Sequence, residues 1–139
     1  MPKNFPDLHV LAETSELLLG HTFEDAVLVR KRNGEYLLED DFYGDPAGGL
    51  IGPANEWAIV VGEHLTIWHH TAGVMRIEDE RLRWIKALRL VGQNRVELLV
   101  DPWGPRAAIW CLHPADRTYT KVRDFLKYRD QDYTEAIVW

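Results

Sequence analysis

Hydrophobic positions in this chain fall in short runs divided by polar, glycine- or proline-bearing turns, the pattern of β-strands joined by tight connections. The clearest case is 26–40, where AVLVRKR and EYLLED flank Asn33-Gly34. That pair readily takes the positive-φ geometry of a type I′ turn, so the segment predicts a hairpin. The layout recurs at 65–78 as LTIWHH, Thr71-Ala72-Gly73 and VMRIE. It recurs again at 107–122 as AAIWCLH, Pro114-Ala115-Asp116 and TYTKV. Val29, Ile67 and Ile109 occupy equivalent places, 38 and 42 residues apart. Upstream of the second and third hairpins lie the apolar runs WAIVVG at 57–62 and RVELLV at 95–100, with a weaker match, ELLLG, at 16–20. Strands in threes and fours repeating near 40 residues predict stacked four-stranded units. The expected fold is all-β and mainly antiparallel, one domain with units 8–40, 48–79 and 83–123 and a tail at 124–139. Its central pairs, 57–68 and 95–110, would be apolar on both faces.

Some segments also read as helix. The stretch 79–92, DERLRWIKALRLVG, has an acidic start and a glycine stop, and Trp84, Ile85, Leu88 and Val91 would form its apolar stripe. The repeat instead makes 83–91 a strand that turns at Gly92-Gln93-Asn94, and the strand is the preferred reading. Residues 7–19 are open in the same way, because Gly20 would end a helix there. A helical turn is allowed at 121–129, and 135–139 reads as a short final strand that must pair somewhere or leave Trp139 exposed.

The passage 50–78, LIGPANEWAIVVGEHLTIWHHTAGVMRIE, resembles a β-propeller blade of the WD-repeat type, with a third strand ending in Ile-Trp. The family's Trp-Asp dipeptide stands here as Trp68-His69 and Trp110-Cys111, and its Gly-His pair occurs only at Gly20-His21, at a spacing that does not fit. The resemblance implies blade-like sheets. Three units fall short of the four or more blades of a closed ring, so it implies an open stack or a homodimer that completes the ring.

Composition narrows the function classes. Of 139 residues, 46% are hydrophobic and 27% charged, ordinary values for a globular chain. Six Trp, five Tyr and four Phe favour pleated, half-buried surfaces and recognition faces. A formal net charge of −6 disfavours nucleic acid and anionic membrane and leaves a basic protein as a partner. Cys111 is the single cysteine, so no internal disulfide forms. The first eleven residues lack a signal-peptide pattern and no 18-residue apolar stretch occurs, so the expected location is the cytoplasm.

Catalytic and metal motifs are scarce. Ser15 is the only serine and lies in no nucleophile elbow. Cys111 would share a strand face with Ile109 and His113, where a thiol keeps its proton. His69 and His70 would point to opposite faces of a strand, and His64 and His113 read as surface histidines at strand ends. The acidic groups Glu39-Asp40-Asp41 and Glu78-Asp79-Glu80 read as solvated turns, and DDFYGD departs from a calcium loop at Phe42. The glycine-rich 44–49 lacks the lysine of a phosphate loop and reads as a hinge or a tight passage between units. Arg81, Arg83, Lys86 and Arg89 read as a solvated basic stripe. No metal and no cofactor is expected.

Recognition is better supplied. In Asp101-Pro102-Trp103-Gly104-Pro105-Arg106 two prolines stiffen a loop that presents Trp103 beside Arg106, the composition of a binding hot spot. Phe42-Tyr43 reads as a second aromatic loop tip. The expected function is a non-enzymatic protein-binding module working through loops at one end of the stack, with an acidic inhibitor or immunity-type protein as the analogy. A small-ligand or carbohydrate binder would use Trp103, Trp57 or Tyr43 as platforms. A hydrolase would need His69 or His70 beside Asp40 or Glu78 in a deep pocket.

Overall fold

The computed structural model describes residues 8–128, 134 and 137–139. Its strands form three four-stranded antiparallel sheets, each a meander in chain order. The first holds β1 (His9–Glu13), β2 (Leu17–Thr22), β3 (Asp25–Arg30) and β4 (Glu35–Asp41). The second holds β5 (Gly48–Ile51), β6 (Trp57–Val61), β7 (Leu65–His69) and β8 (Gly73–Ile77). The third holds β9 (Ile85–Gly92), β10 (Arg95–Val100), β11 (Ala108–His113) and β12 (Thr118–Asp124). The all-β expectation and its four-stranded units therefore hold, and among the described residues the sheets close no ring.

Alternation along each strand lets the sheets pack face to face. Leu19, Leu28 and Leu38 of the first sheet meet Ala58, Val60 and Trp68 of the second. The opposite face of the second sheet, with Ile59, Val61, Leu65 and Ile67, meets Val96, Leu98, Trp110 and Leu112 of the third. Each fully buried Leu or Ile stabilises the stack by about 1.5–3 kcal/mol. The outer face of the third sheet carries Leu99 and Ile109 under Phe125, Tyr128, Ile137 and Trp139. Trp139 lies under Arg89, whose guanidinium is 4.0 Å from the ring centroid and also donates to the Trp139 carbonyl. Residues 137–139 are not strand; Glu135 and Ala136 lie outside the described residues.

Face assignment corrects the repeat. Leu28, Ile67 and Ile109 sit on equivalent forward faces, whereas Val29 points to the far side of the first sheet. A one-residue slip reverses the face, so the true counterpart is the neighbour of the residue first aligned. The first hairpin is also not a two-residue type I′ turn. Arg30 pairs with Glu35, and Lys31 to Gly34 form a four-residue loop in which Gly34 alone has positive φ. The Lys31 amide is already committed to the Glu16 carbonyl, which peels the chain away from β4 early.

The helix alternatives fail. A short 3-10 turn, Glu80–Leu82, capped by Asp79, precedes β9. Residues 118–124 remain strand and 125–128 hold no helix, 9–13 and 17–22 are strands too, and Asp7 and Arg129 lie outside the described residues. Among the described residues no helix is long and apolar enough to cross a membrane.

Candidate functional site

A meander sends alternate connections to opposite ends. One end gathers the β2–β3 turn, the β4–β5 connection, the β6–β7 turn, the β8–β9 connection and the β10–β11 loop. Backbone bonds lock them together: Phe42 N–H donates to the Glu24 carbonyl, Ile85 N–H to Gly62 and Asp101 N–H to Trp84, at 2.7–2.9 Å. The glycine-rich 44–49 is thus a tight passage, with Ala47 N–H bonded to the Val61 carbonyl at 2.7 Å.

Aromatic side chains collect at this end. Phe23 is 75% exposed, Tyr43 74% and Trp84 48%, and Trp103 is half-buried beside them. Phe23 and Trp84 have φ of 52° and 63°, and Asp101 has 40°. Left-handed backbone disfavours bulky L-residues by about 1–2 kcal/mol, so these turns keep large aromatics where glycine or asparagine would fit more easily. The opposite end is polar instead, joined by contacts such as Thr14 to Asn55 at 2.6 Å and Ala115 N–H to Asn94 Oδ1 at 2.8 Å.

Tyr43, Trp84, Trp103, Lys86, Asp101 and Glu63 border a cavity of about 210 Å³. The Tyr43 and Trp84 rings meet edge to face at 6.0 Å, and the Lys86 ammonium lies 5.6 Å from the Trp103 centroid. Asp101 is half-buried, and that burial pushes its carboxyl above its ordinary range, with Arg106 only partly offsetting the effect. Gly104 makes room for it, since a Cβ there would fall 2.0 Å from Asp101 Oδ2.

Of the residues singled out in sequence, Trp103, Asp101 and Tyr43 thus converge. Arg106 does not: it turns away to the Glu80 carbonyl at 2.8 Å, and Lys86 takes the place beside Trp103. Phe42 is a correction. It is 4% exposed, stacks on His64 at 3.9 Å and belongs to the core between the first two sheets. Trp57 is likewise buried, so it offers no surface platform. Trp84, which the sequence places only on a helical stripe, and Phe23, which no motif marks, are the site residues that sequence reasoning misses.

The other charged groups are inward ties. His64, expected at the surface, is 2% exposed and lies between Asp40 (2.8 Å) and Glu63 (3.0 Å). Burial opposes the Asp40 charge, but hydrogen bonds from Thr66 and His64 and the charges of His64 and Arg76 outweigh it and hold the carboxyl low. Glu63 is held low chiefly by its bond from His64, helped by the Tyr43 amide and Arg83. Asp40 and Asp79 are therefore not solvated: Asp79 accepts from Arg81 and from Tyr119, and the Arg81 bond holds it well below the usual range. His69 and His70 do not approach Asp40; their rings lie 4.7 Å apart, with His70 in the turn. The basic segment stays solvated while its heads are paired: Arg81, exposed, lies over Trp110, Arg83 binds Glu63 and Arg89 binds Glu97. Cys111 is half-buried, which raises its thiol pKa and suppresses the thiolate. Among the described residues no three His, Cys, Asp or Glu side chains converge as a metal site.

No protein-family model matches the chain, and no curated protein matches it. Among solved structures it is similar to the Kuenenia stuttgartiensis hydrazine synthase, at 13% sequence identity and a TM-score of 0.55. The similarity covers 84% of this chain and 36% of that one, so the chain spans about a third of that neighbour and shares its fold alone.

Proposed function

We propose that the protein is a binding module, without catalytic chemistry of its own, that engages another protein through the aromatic end of the stack. One observation carries this reading. Phe23, Tyr43 and Trp84 are held exposed at a single end, Phe23 and Trp84 on costly left-handed backbone, and Tyr43 and Trp84 border a cavity the size of one side chain. Exposed aromatics on a rigid base lose little entropy on binding, and they dominate interface energetics where a pocket accepts a partner's anchor. The cavity lies below the roughly 300 Å³ at which pockets for drug-sized ligands begin, which favours a partner's side chain over a whole small molecule. The net charge of −6 favours a basic partner and faster association with it, as an acidic inhibitor would need. The reading places the module in the cytoplasm, where its lone cysteine would stay reduced.

The test is quantitative recovery of partners by the wild-type chain, by a Tyr43→Ser/Trp84→Ser variant and by an Arg32→Ala/Gln93→Ala variant at the polar end. Loss of a defined partner in the first variant alone is the expected outcome. Equal recovery by all three would remove the aromatic end from consideration.

A further inference from the structure

We propose that the cavity bordered by Tyr43, Trp84 and Asp101 receives an arginine side chain of the partner, its guanidinium against the two rings and its charge facing the Asp101 carboxylate. This rests on the protein-binding reading and names the anchor it requires. Carboxylate charge without a hydrogen-bonded partner lies here beside aromatic faces. Glu63, on the same rim, is consumed by His64, Arg83 and the Tyr43 amide. Asp101 differs: no hydrogen bond reaches its carboxylate from the described residues, and Arg106, whose guanidinium is bonded to the Glu80 carbonyl, acts on it only through its charge and offsets the cost of burial only in part. Asp45, exposed on the same rim, adds a second negative charge.

The rings supply the other half of a cation site. Aromatic faces attract a cation within about 6 Å of the centroid. The fold already uses Trp103 in this way, with Lys86 at 5.6 Å, which leaves Tyr43 and Trp84 for an incoming charge. A planar guanidinium stacks on such rings and offers paired donors to one carboxylate, which a lysine ammonium cannot do in one geometry. A cavity of about 210 Å³ suits a single extended side chain. Burial also makes the Asp101 charge unfavourable in the free protein, and a guanidinium beside it would relieve that.

The probe is N-acetyl-arginine amide titrated into the wild-type chain, followed by the indole N–H resonances of Trp84 and Trp103. N-acetyl-citrulline amide, a neutral isostere, and N-acetyl-lysine amide are the comparison ligands, and Asp101→Asn is the variant. Arginine amide should bind with a dissociation constant on the order of 1–10 mM. Citrulline and lysine amides should bind at least about tenfold more weakly. Asp101→Asn should weaken arginine amide about tenfold and leave citrulline amide unchanged, with resonances remote from the loop unmoved, so that the loss is one of charge and not of fold. Absence of shifts, equal binding of citrulline or lysine, or unchanged arginine binding by Asp101→Asn would each overturn the proposal. If it falls while Tyr43→Ser/Trp84→Ser still loses its partner, only the identity of the anchor is wrong. If arginine binds as expected while partner recovery is untouched, the protein-binding reading is what fails.

Discussion

At positions 42 and 43 two adjacent aromatic rings meet opposite surroundings. Phe42 is sealed between sheets against His64, whereas Tyr43 projects from the aromatic end. Phe42→Ala should therefore destabilise the chain by about 3–5 kcal/mol, the range for emptying a buried phenylalanine site. Tyr43→Ala should change stability by no more than about 0.5 kcal/mol, since little packing is lost. Denaturant unfolding of the two variants checks both. The difference was partly legible in the sequence, though not from Phe42 alone. An Asp-Phe pair closes the first unit at 41–42 and the third at 124–125, and both phenylalanines follow the fourth strand and are buried. Recurrence at equivalent points marks a packing residue. Lys86 beside Trp103 was not legible, because it depends on how β9 runs past a loop fifteen residues later.

Among the elements, strands were readable and turns were less so. Apolar runs and their spacing fix which segments pair, but a turn's geometry depends on what its amides meet across the sheet. Lys31 shows this, and so does Phe23, which stands first in the two-residue connection between Thr22 and Asp25 with φ of 52°. Glycine is usual at such a position when only the first residue has positive φ. Phe23→Gly should raise stability by about 1 kcal/mol, read as a higher denaturation midpoint, because it relieves the left-handed backbone and removes an exposed ring. A fall in stability would mean that the ring packs structurally. The segment 79–92 was ambiguous because its charges and glycine mimic helix boundaries. Its residues 85–92 resolve as strand because β9 pairs with β10 along nearly its whole length, while 80–82 form the 3-10 turn that leads in.

Across the whole molecule, acids tie neighbouring sheets. Asp40 on β4 holds His64, Thr66 and Arg76 of the second sheet, and Asp79 holds Tyr119 of the third. Asp40, Glu63 and Asp79 all ionise more readily folded than unfolded. The unfolded chain then binds more protons in acid, so this stabilisation is complete only above about pH 5.5 and is lost as pH falls through the unfolded and then the folded values. The denaturation midpoint should decline steadily below about pH 5, and Asp79→Asn should flatten part of that decline. The stack as a whole also has two unlike ends, one aromatic and one polar, which no run of residues announces, since it follows from which connections the meander brings together.

That asymmetry is tested most directly by photo-crosslinking in cells, with benzoylphenylalanine in place of Tyr43, of Trp84 or, at the polar end, of Arg32 or Gln93. The account predicts a discrete protein adduct from position 43 or 84 and none from position 32 or 93. Adducts formed from the polar end, with the aromatic end silent, would contradict it.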